Sequence, residues 1–240
     1  MNGSNTLDSL QSVVAQFARN PRQDGQGEVT VLCAPHSHAG TSYVARNMAL
    51  ITAQNLPESA QVLLVEMDIQ NNAQSSFFFA SENQAIYGVP AGPYDASYGQ
   101  QPFWRITPSI VNEQGLNLTD AHFMSLNILQ ACKISFTHFH WENLKAGHNV
   151  HIQNARNYWH ELRKHYAAII IDTPALDRSD ILETISPEAD RTILVAHSRD
   201  SRSESLASAY NKIKAMDTDC AGVIFNNGTQ RVPTVYGEPT

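Results

Sequence analysis

The chain has 240 residues, a net charge of −7 and three cysteines. Its length suits a single α/β domain with a substantial core, and its acidity without a dense Lys/Arg stripe excludes a nucleic-acid partner from our expectations. It contains no apolar run of about 18 residues that would predict a transmembrane helix. The cysteines lie in or beside apolar runs, which is typical of reduced core residues in a cytoplasmic protein.

Residues 1–28 predict one amphipathic helix followed by a polar linker, without the basic and apolar segments of a signal peptide. The helix ends at Asn20-Pro21. Its apolar stripe consists of Leu7, Leu10, Val13, Val14 and Phe17. We expect this N-terminal segment to precede an α/β domain over residues 29–227, and residues 228–240 to form a flexible polar tail.

A strand, a tight loop and a helix follow one another from Val29. The β-branched run Val29–Leu32 predicts a buried strand, residues 34–40 predict the loop, and the helix is expected from Thr41 to Asn55. This order is typical of a P-loop, in which backbone N–H groups and the helix N-terminus hold phosphate.

The loop departs from the P-loop pattern at two kinds of position. One supplies positive charge, and the other lets the backbone approach phosphate closely. The pattern ends in Gly-Lys-Ser/Thr; Gly40 fits its glycine and Ser42 fits its magnesium-binding hydroxyl. Thr41 stands where the lysine belongs and cannot place a positive charge on phosphate. His38 stands where a glycine is expected, and its Cβ restricts how closely the backbone can approach phosphate.

Two further apolar runs end in acidic residues. Val62–Val65 is followed by Glu66 and Asp68, and Ala168–Ile171 is followed by Asp172. Carboxylates at the carboxyl ends of such strands lie beside the crevice where α/β sheets bind ligands.

Together, these stretches resemble the bacterial tyrosine kinase family, the cytoplasmic kinase domains of capsule and exopolysaccharide systems within the MinD/ParA group of P-loop ATPases. Residues 62–70 are similar to the family's Val-Leu-Leu-Ile-Asp-Ala-Asp-Leu-Arg, and residues 169–174 to its Ile-Ile-Ile-Asp-Thr-Pro-Pro. Residues 44–49 resemble its Val-Ala-Ala-Asn-Leu-Ala, which fixes Thr41 opposite the family's lysine.

The resemblance implies roles for the acidic residues. Glu66, Asp68 and Asp172 stand at positions that bind magnesium or activate the attacking group in the family, and Ser42, Asp68 and Asp172 would hold magnesium. Gln70 replaces a family arginine. An ordinary alternative for Asp68 is a helix or loop cap, and for Asp172 a buried structural carboxylate.

The resemblance also implies a nucleotide site. Gly40, Thr41 and Ser42 would contact the phosphates of ATP or ADP, and Asn226 or Asn227 would read the adenine edge. Without the lysine we expect weak binding of ATP or ADP with magnesium, or none.

The middle of the chain is less regular. Residues 83–115 are rich in Gly, Pro, Tyr and Gln and predict a long loop, whose aromatic residues either meet a partner or pack on their own domain. Residues 126–131 predict a strand. In an extended segment His138 and His140 would point the same way, so a metal site is conceivable, although the ten histidines form no recognised metal signature.

The remaining patterns predict helices over residues 151–166, 180–185 and 203–216, and strands over residues 191–196 and 221–227. Alternating strands and helices predict a doubly wound, mostly parallel sheet with helices on both faces, as in P-loop NTPases.

The main functional expectation is a degenerate, catalytically inactive protein of this kind, acting as a scaffold or regulator in exopolysaccharide synthesis or export. Its partner would be a Wzz-like polysaccharide co-polymerase at the cytoplasmic side of the inner membrane; a homo-oligomer stays open. Tyr236 is a single tail tyrosine, whereas family kinases carry a cluster. The helix motif Glu-x-x-Arg-x-x-Arg used for ring assembly lacks both arginines here.

Two alternatives stay open. One is a divergent active ATPase or tyrosine kinase that recruits a cation from Arg46, Arg199 or a partner's arginine. The other is a MinD/ParA-like positioning factor, which a nucleotide-dependent dimer would favour.

Overall fold

A computed structural model of the chain describes residue 12 and residues 25–110, 118–198, 204–216 and 218–226. Apart from residue 12, the predicted N-terminal helix lies outside these residues, as do Arg199, Asn227 and the predicted tail. The proposed division of the chain near residues 28 and 227 therefore stays a prediction. Among the described helices, none has the length and apolar character needed to cross a bilayer.

The described residues form ten strands and six α-helices. In chain order they are β1 (Glu28–Cys33), α1 (Thr41–Asn55), β2 (Val62–Glu66), α2 (Ala73–Phe79), α3 (Ser81–Tyr87), β3 (Ala91–Asp95), β4 (Trp104–Thr107), β5 (Met124–Leu129), β6 (Ile134–Phe139), β7 (Asn149–Ile152), α4 (Arg156–His165), β8 (Ala168–Asp172), α5 (Ile181–Ile185), β9 (Arg191–His197), α6 (Glu204–Ala215) and β10 (Cys220–Asn226).

Eight strands form one sheet in the order β10-β9-β1-β8-β2-β6-β5-β3. The six strands from β10 to β6 are parallel, and β5 and β3 add an antiparallel edge. The central strands β1, β2 and β8 are continuous apolar runs because helices cover both of their faces. This arrangement confirms the predicted mostly parallel α/β sheet.

Two apolar clusters lie on opposite faces of the sheet. One contains Trp159 of α4 and Ile213 of α6, together with Val31 of β1. The other contains Met48 of α1 and the neighbouring strand residue Leu32. Successive residues of a strand point to opposite faces, so β1 contributes to both clusters. The predicted placement of helices on both faces is thereby confirmed.

The predicted loop over residues 83–115 is wrong for most of its described part. It contains most of α3, the edge strand β3 and the strand β4, which pairs with β7 in a separate two-stranded sheet. The prediction failed because Gly and Pro dominate the composition, yet an edge strand tolerates Pro93, whose missing N–H is not needed for pairing on the open side.

Two aromatic residues of this segment pack on their own domain. Phe103 and Trp104 are fully buried, and the Phe103 ring stacks on Trp159 with centroids 5.4 Å apart. Tyr94 is half-exposed on the edge strand. A role of the exposed aromatic residues toward a partner stays a prediction. The strands β6 and β7 were also not predicted.

Candidate functional site

The predicted acidic positions meet at the carboxyl ends of two neighbouring parallel strands. Glu66 ends β2, Asp172 ends β8, and the two residues are register partners. Their side chains are 1% and 0% exposed. The sequence therefore placed these two carboxylates correctly, beside the start of α1, where the predicted magnesium ligand Ser42 lies.

Gln74 of α2 links this group together. Its backbone N–H donates to Glu66 Oε2 at 2.6 Å, and its side-chain Nε2 donates both to Asp172 Oδ2 at 2.7 Å and to the backbone oxygen of Ser42 at 2.9 Å. Its Oε1 accepts a hydrogen bond from Arg46 Nη1 at 3.1 Å. We call Ser42, Arg46, Glu66, Gln74 and Asp172 the carboxylate cluster.

Arg46 supplies the positive charge nearest to the two carboxylates. Its guanidinium carbon lies 3.7 Å from the centre of the Phe77 ring, a cation–π contact. Burial lowers the pKa of Arg46, and the charges of Asp172 and Glu66 oppose that shift. The cation is therefore fixed on the α2 side of the cluster by an aromatic ring and a glutamine.

The two carboxylates are only partly satisfied. Glu66 Oε1 and Asp172 Oδ1 are buried and have no partner with hydrogen-bond geometry among the described residues. Burial raises the pKa of Glu66 well above its ordinary value and that of Asp172 to about 6, and repulsion by neighbouring carboxylates adds to both shifts. The Ser42 hydroxyl and the Gln74 amide hold the Asp172 pKa down in part.

Asp68, the third predicted acid, lies close enough for its charge to raise the pKa of Glu66 and Asp172, but its carboxylate has other partners. Its Oδ2 accepts from Arg178 Nη1 at 3.0 Å and from Asn71 Nδ2 at 2.7 Å. The side chain therefore forms an ion pair across the crevice. It does not cap a helix: α2 begins after Asn72 and has no side-chain cap.

The loop between β1 and α1 has the backbone shape expected of a tight strand–helix connection. His38 and Gly40 both have positive φ, at 67° and 89°. A Cβ on Gly40 would lie 2.0 Å from Asn226 Nδ2, and that amide donates to the backbone oxygen of Ala39 at 3.0 Å. Asn226, predicted to read adenine, thus contacts the loop itself. Its role toward adenine stays a prediction, as does that of Asn227.

A cavity of about 240 Å³ opens beside this loop. Its lining contains three histidines and no Lys or Arg among the described residues: Pro35, His36, Ser37, His38, Ala39, Ala196 and His197. Pockets for drug-sized ligands are typically about 300–1,000 Å³. The cavity is therefore small for a whole nucleotide.

The described residues do not fit a magnesium nucleotide as they are arranged here. Ser42 and Asp172 are the residues that would hold magnesium, but the Gln74 amide already donates to the Asp172 carboxylate and to the Ser42 backbone oxygen. Thr41, at the start of α1, brings no charge to the loop. Phosphate would meet two buried carboxylates without a facing lysine.

Sequence reasoning missed Gln74. Its signal was faint: one amide in the short helix Ala-Gln-Ser-Ser-Phe-Phe-Phe, eight residues after Glu66. Its importance depends on contacts with residues 32 and 98 positions away in the chain, which no local pattern reveals.

Comparison with known proteins places the fold. No protein-family model matches the chain, and no curated protein sequence matches it. Among solved structures, the kinase domain of the Escherichia coli tyrosine kinase ETK is similar with 12% identity and a TM-score of 0.59, covering 98% of this chain and 80% of that one. The chimerical protein CapA2B2 is similar with 16% identity, a TM-score of 0.59 and coverage of 93% and 85%.

The VpsO kinase domain is similar with 17% identity, a TM-score of 0.54 and coverage of 94% of this chain and 98% of that one. At such identities the likeness is one of fold. The chain therefore has the α/β P-loop fold seen in bacterial tyrosine kinase domains, and the resemblance of its sequence motifs to that family is confirmed at this level.

Proposed function

We propose that this chain is a catalytically inactive counterpart of the bacterial tyrosine kinases, retained as a scaffold or regulator in exopolysaccharide synthesis or export. The observation that carries the proposal is the position of the Gln74 amide, which donates to Asp172 and to the Ser42 backbone. An internal hydrogen-bond donor thus satisfies a carboxylate oxygen that the resemblance assigns to magnesium binding.

The charges around the loop support the same proposal. Phosphoryl transfer depends on positive charge held against the transferring phosphate, and Thr41 supplies none. Loss of one preorganised group of this kind typically raises the barrier by about 3–4 kcal/mol, which slows the reaction by about a hundredfold to a thousandfold. Arg46, the arginine of the carboxylate cluster, contacts Gln74 and Phe77 instead.

The fold resemblance is the basis for the partner in this proposal. We expect binding to the cytoplasmic end of a Wzz-like polysaccharide co-polymerase, which would recruit the chain to the inner membrane. Purified chain and the cytoplasmic segments of such a protein should form a complex whose affinity does not depend on ATP. A complex that requires ATP and magnesium would contradict the scaffold role.

Calorimetry with ATP and ADP, with and without magnesium, tests the loss of nucleotide chemistry. We expect no binding by the wild-type chain at micromolar nucleotide, and a gain in Thr41→Lys, more so when combined with Gln74→Ser to free the space between Ser42 and Asp172. Thr52→Lys, elsewhere on α1, is the matched control for added charge. Micromolar, magnesium-dependent binding by the wild-type chain would overturn the proposal.

The second candidate function is a divergent ATPase that uses Arg46 as its cation. It is favoured by one observation: the charges of Asp172 and Glu66 act on Arg46, whose guanidinium is only one glutamine side chain away from Asp172. Magnesium-dependent ATP hydrolysis that is lost in Arg46→Ala and kept in Arg105→Ala, on the exposed side of β4, would establish this function.

A further inference from the structure

Three metal-ligating side chains converge at the carboxyl end of β6. His138, His140 and Glu142 each bring one ligand atom into a group in which all three atoms lie within 4.8 Å of one another. We propose that this group binds one divalent transition-metal ion of the zinc class. The site is separate from the carboxylate cluster and does not depend on the function proposed above.

Local geometry explains why these residues meet. His138 lies in β6 and His140 follows the strand, so the two side chains are on the same side of an extended segment. Their ring centroids are 4.6 Å apart, with the rings perpendicular. The 3-10 turn Trp141–Asn143 then brings Glu142 back toward them.

Each imidazole is oriented by a serine through one nitrogen, which leaves the other nitrogen without a serine partner. His138 Nδ1 is 2.7 Å from Ser75 Oγ, and His140 Nε2 is 2.9 Å from Ser125 Oγ. His140 Nδ1 lies 2.7 Å from Glu142 Oε1, where a metal ion would replace the shared proton. His138 Nε2 has no hydrogen-bond partner among the described residues. Metal-bound histidines characteristically have such outer hydrogen bonds.

The site is open to solvent. The Glu142 side chain is 66% exposed and that of His140 is 21% exposed, so an ion can reach the site from solvent.

The ligand set decides the class of metal. Two imidazoles and one carboxylate suit zinc and neighbouring first-row ions, whereas magnesium and calcium prefer oxygen ligands alone. Three protein ligands leave one tetrahedral position for water or a substrate group. Ligands at about 2.0–2.1 Å from one zinc ion lie about 3.4 Å apart. On binding, the His140–Glu142 pair must therefore open from 2.7 Å, and the longest separation in the group, at most 4.8 Å, must shorten. The exposed Glu142 side chain allows this rearrangement.

Titration of the untagged, chelator-treated chain with Zn²⁺, and with Co²⁺ as a spectroscopic probe, tests the site. We expect one ion per chain at micromolar metal, a visible Co²⁺ spectrum typical of tetrahedral coordination by nitrogen and oxygen, and no competition by Mg²⁺. His138→Ala and His140→Ala should each weaken binding by about a hundredfold or more, because each removes a ligand.

Two further variants keep the test decisive. Ser75→Ala leaves all three ligands in place and should weaken binding by about tenfold to a hundredfold through loss of the outer hydrogen bond. His160→Ala, at an exposed position of α4, should bind like the wild-type chain. Thermal unfolding in chelator shows that each variant is folded. No saturable Zn²⁺ binding by the wild-type chain, or unchanged binding in His138→Ala, would overturn the proposal.

Discussion

The carboxylate cluster and the loop between β1 and α1 differ in which features of a phosphate-binding site they contain. The cluster keeps the acids: Glu66 and Asp172 are buried register partners at the strand ends. The loop has the backbone shape: Gly40 has a left-handed conformation and immediately precedes α1. Neither region has a lysine, and each accepts a hydrogen bond from a side-chain amide of the chain, that of Gln74 or Asn226.

The two amides act in different ways. Gln74 donates to the acids from inside the fold, so it compensates buried negative charge. Asn226 donates to the backbone of the loop, so it stabilises the loop conformation. The stability of the cluster therefore depends on electrostatics, and that of the loop depends on steric fit. Substitutions in the two regions should change the free energy of unfolding by different amounts and with different pH dependence.

The largest effect is expected from Gln74→Leu. This change removes the donor to the buried Asp172 and to the part-buried Ser42 backbone oxygen, and the acceptor for the part-buried Arg46. We expect the free energy of unfolding to fall by about 3 kcal/mol or more, because a buried charged group that loses its hydrogen bond costs more than the roughly 1–3 kcal/mol of a neutral one. Urea unfolding at neutral pH measures it.

The matched control is Gln84→Leu. Gln84 also donates its side-chain Nε2 to a backbone oxygen, that of Phe79, but at the surface. Its loss should change the free energy of unfolding by no more than about 0.5 kcal/mol. Equal effects of the two substitutions would show that Gln74 does not support the acids.

A smaller effect with a distinct pH signature is expected from Asp172→Asn. The folded chain raises the pKa of Asp172 from 3.8 to about 6, so the native state binds its proton more tightly than the unfolded state does. The stability that this group contributes is complete below its unfolded pKa and is lost as pH rises through about 6.

Asp172→Asn should therefore have little effect near pH 4 and should stabilise the chain by about 2–3 kcal/mol at neutral pH, because one pKa unit corresponds to about 1.4 kcal/mol. Unfolding followed across this pH range measures the difference. Glu58→Gln, at a side chain that is 96% exposed, should show no such trend. A stabilisation independent of pH would mean that Asp172 is not protonated in the native state near pH 4.

The sequence was most informative about the buried parallel strands. Strands such as β2 and β8 are covered on both faces, so they appear as continuous apolar runs that end in a polar residue. The position of Glu66 and Asp172 at the ends of these strands follows from that pattern. The strands β3 and β4 were not predicted. An edge strand and a two-stranded sheet contain Pro, Gly and polar residues, which are also typical of loops.

The site was predictable only as a set of positions. The end of a strand identifies Asp172, but not whether a metal, an arginine or an amide satisfies it. Asp68 shows the same limit, since its partner Arg178 is 110 residues away in the chain. These contacts depend on how helices pack across the sheet, and no local periodicity encodes them.

The smallest expected change in the free energy of unfolding concerns the loop between β1 and α1. It separates backbone strain at positive φ from the steric collision with Asn226. Gly40 and Gly147 have nearly the same positive φ, 89° and 85°, so alanine should strain both backbones by about 1–2 kcal/mol. Only at Gly40 would the new Cβ meet another residue, lying 2.0 Å from Asn226 Nδ2, whereas nothing lies within 4 Å at Gly147. We expect Gly40→Ala to lower the free energy of unfolding by about 1 kcal/mol more than Gly147→Ala, since the hydrogen bond to Ala39 is displaced.

This excess should disappear when Asn226 is absent. In an Asn226→Ala background the collision and the hydrogen bond are both removed, so Gly40→Ala and Gly147→Ala should then have equal effects on the free energy of unfolding. The effect should also be independent of pH, because neither residue titrates, in contrast to Asp172→Asn. An excess that persists without Asn226 would mean that another part of the loop requires the glycine, and that backbone approach, as in a phosphate-binding loop, still constrains this position.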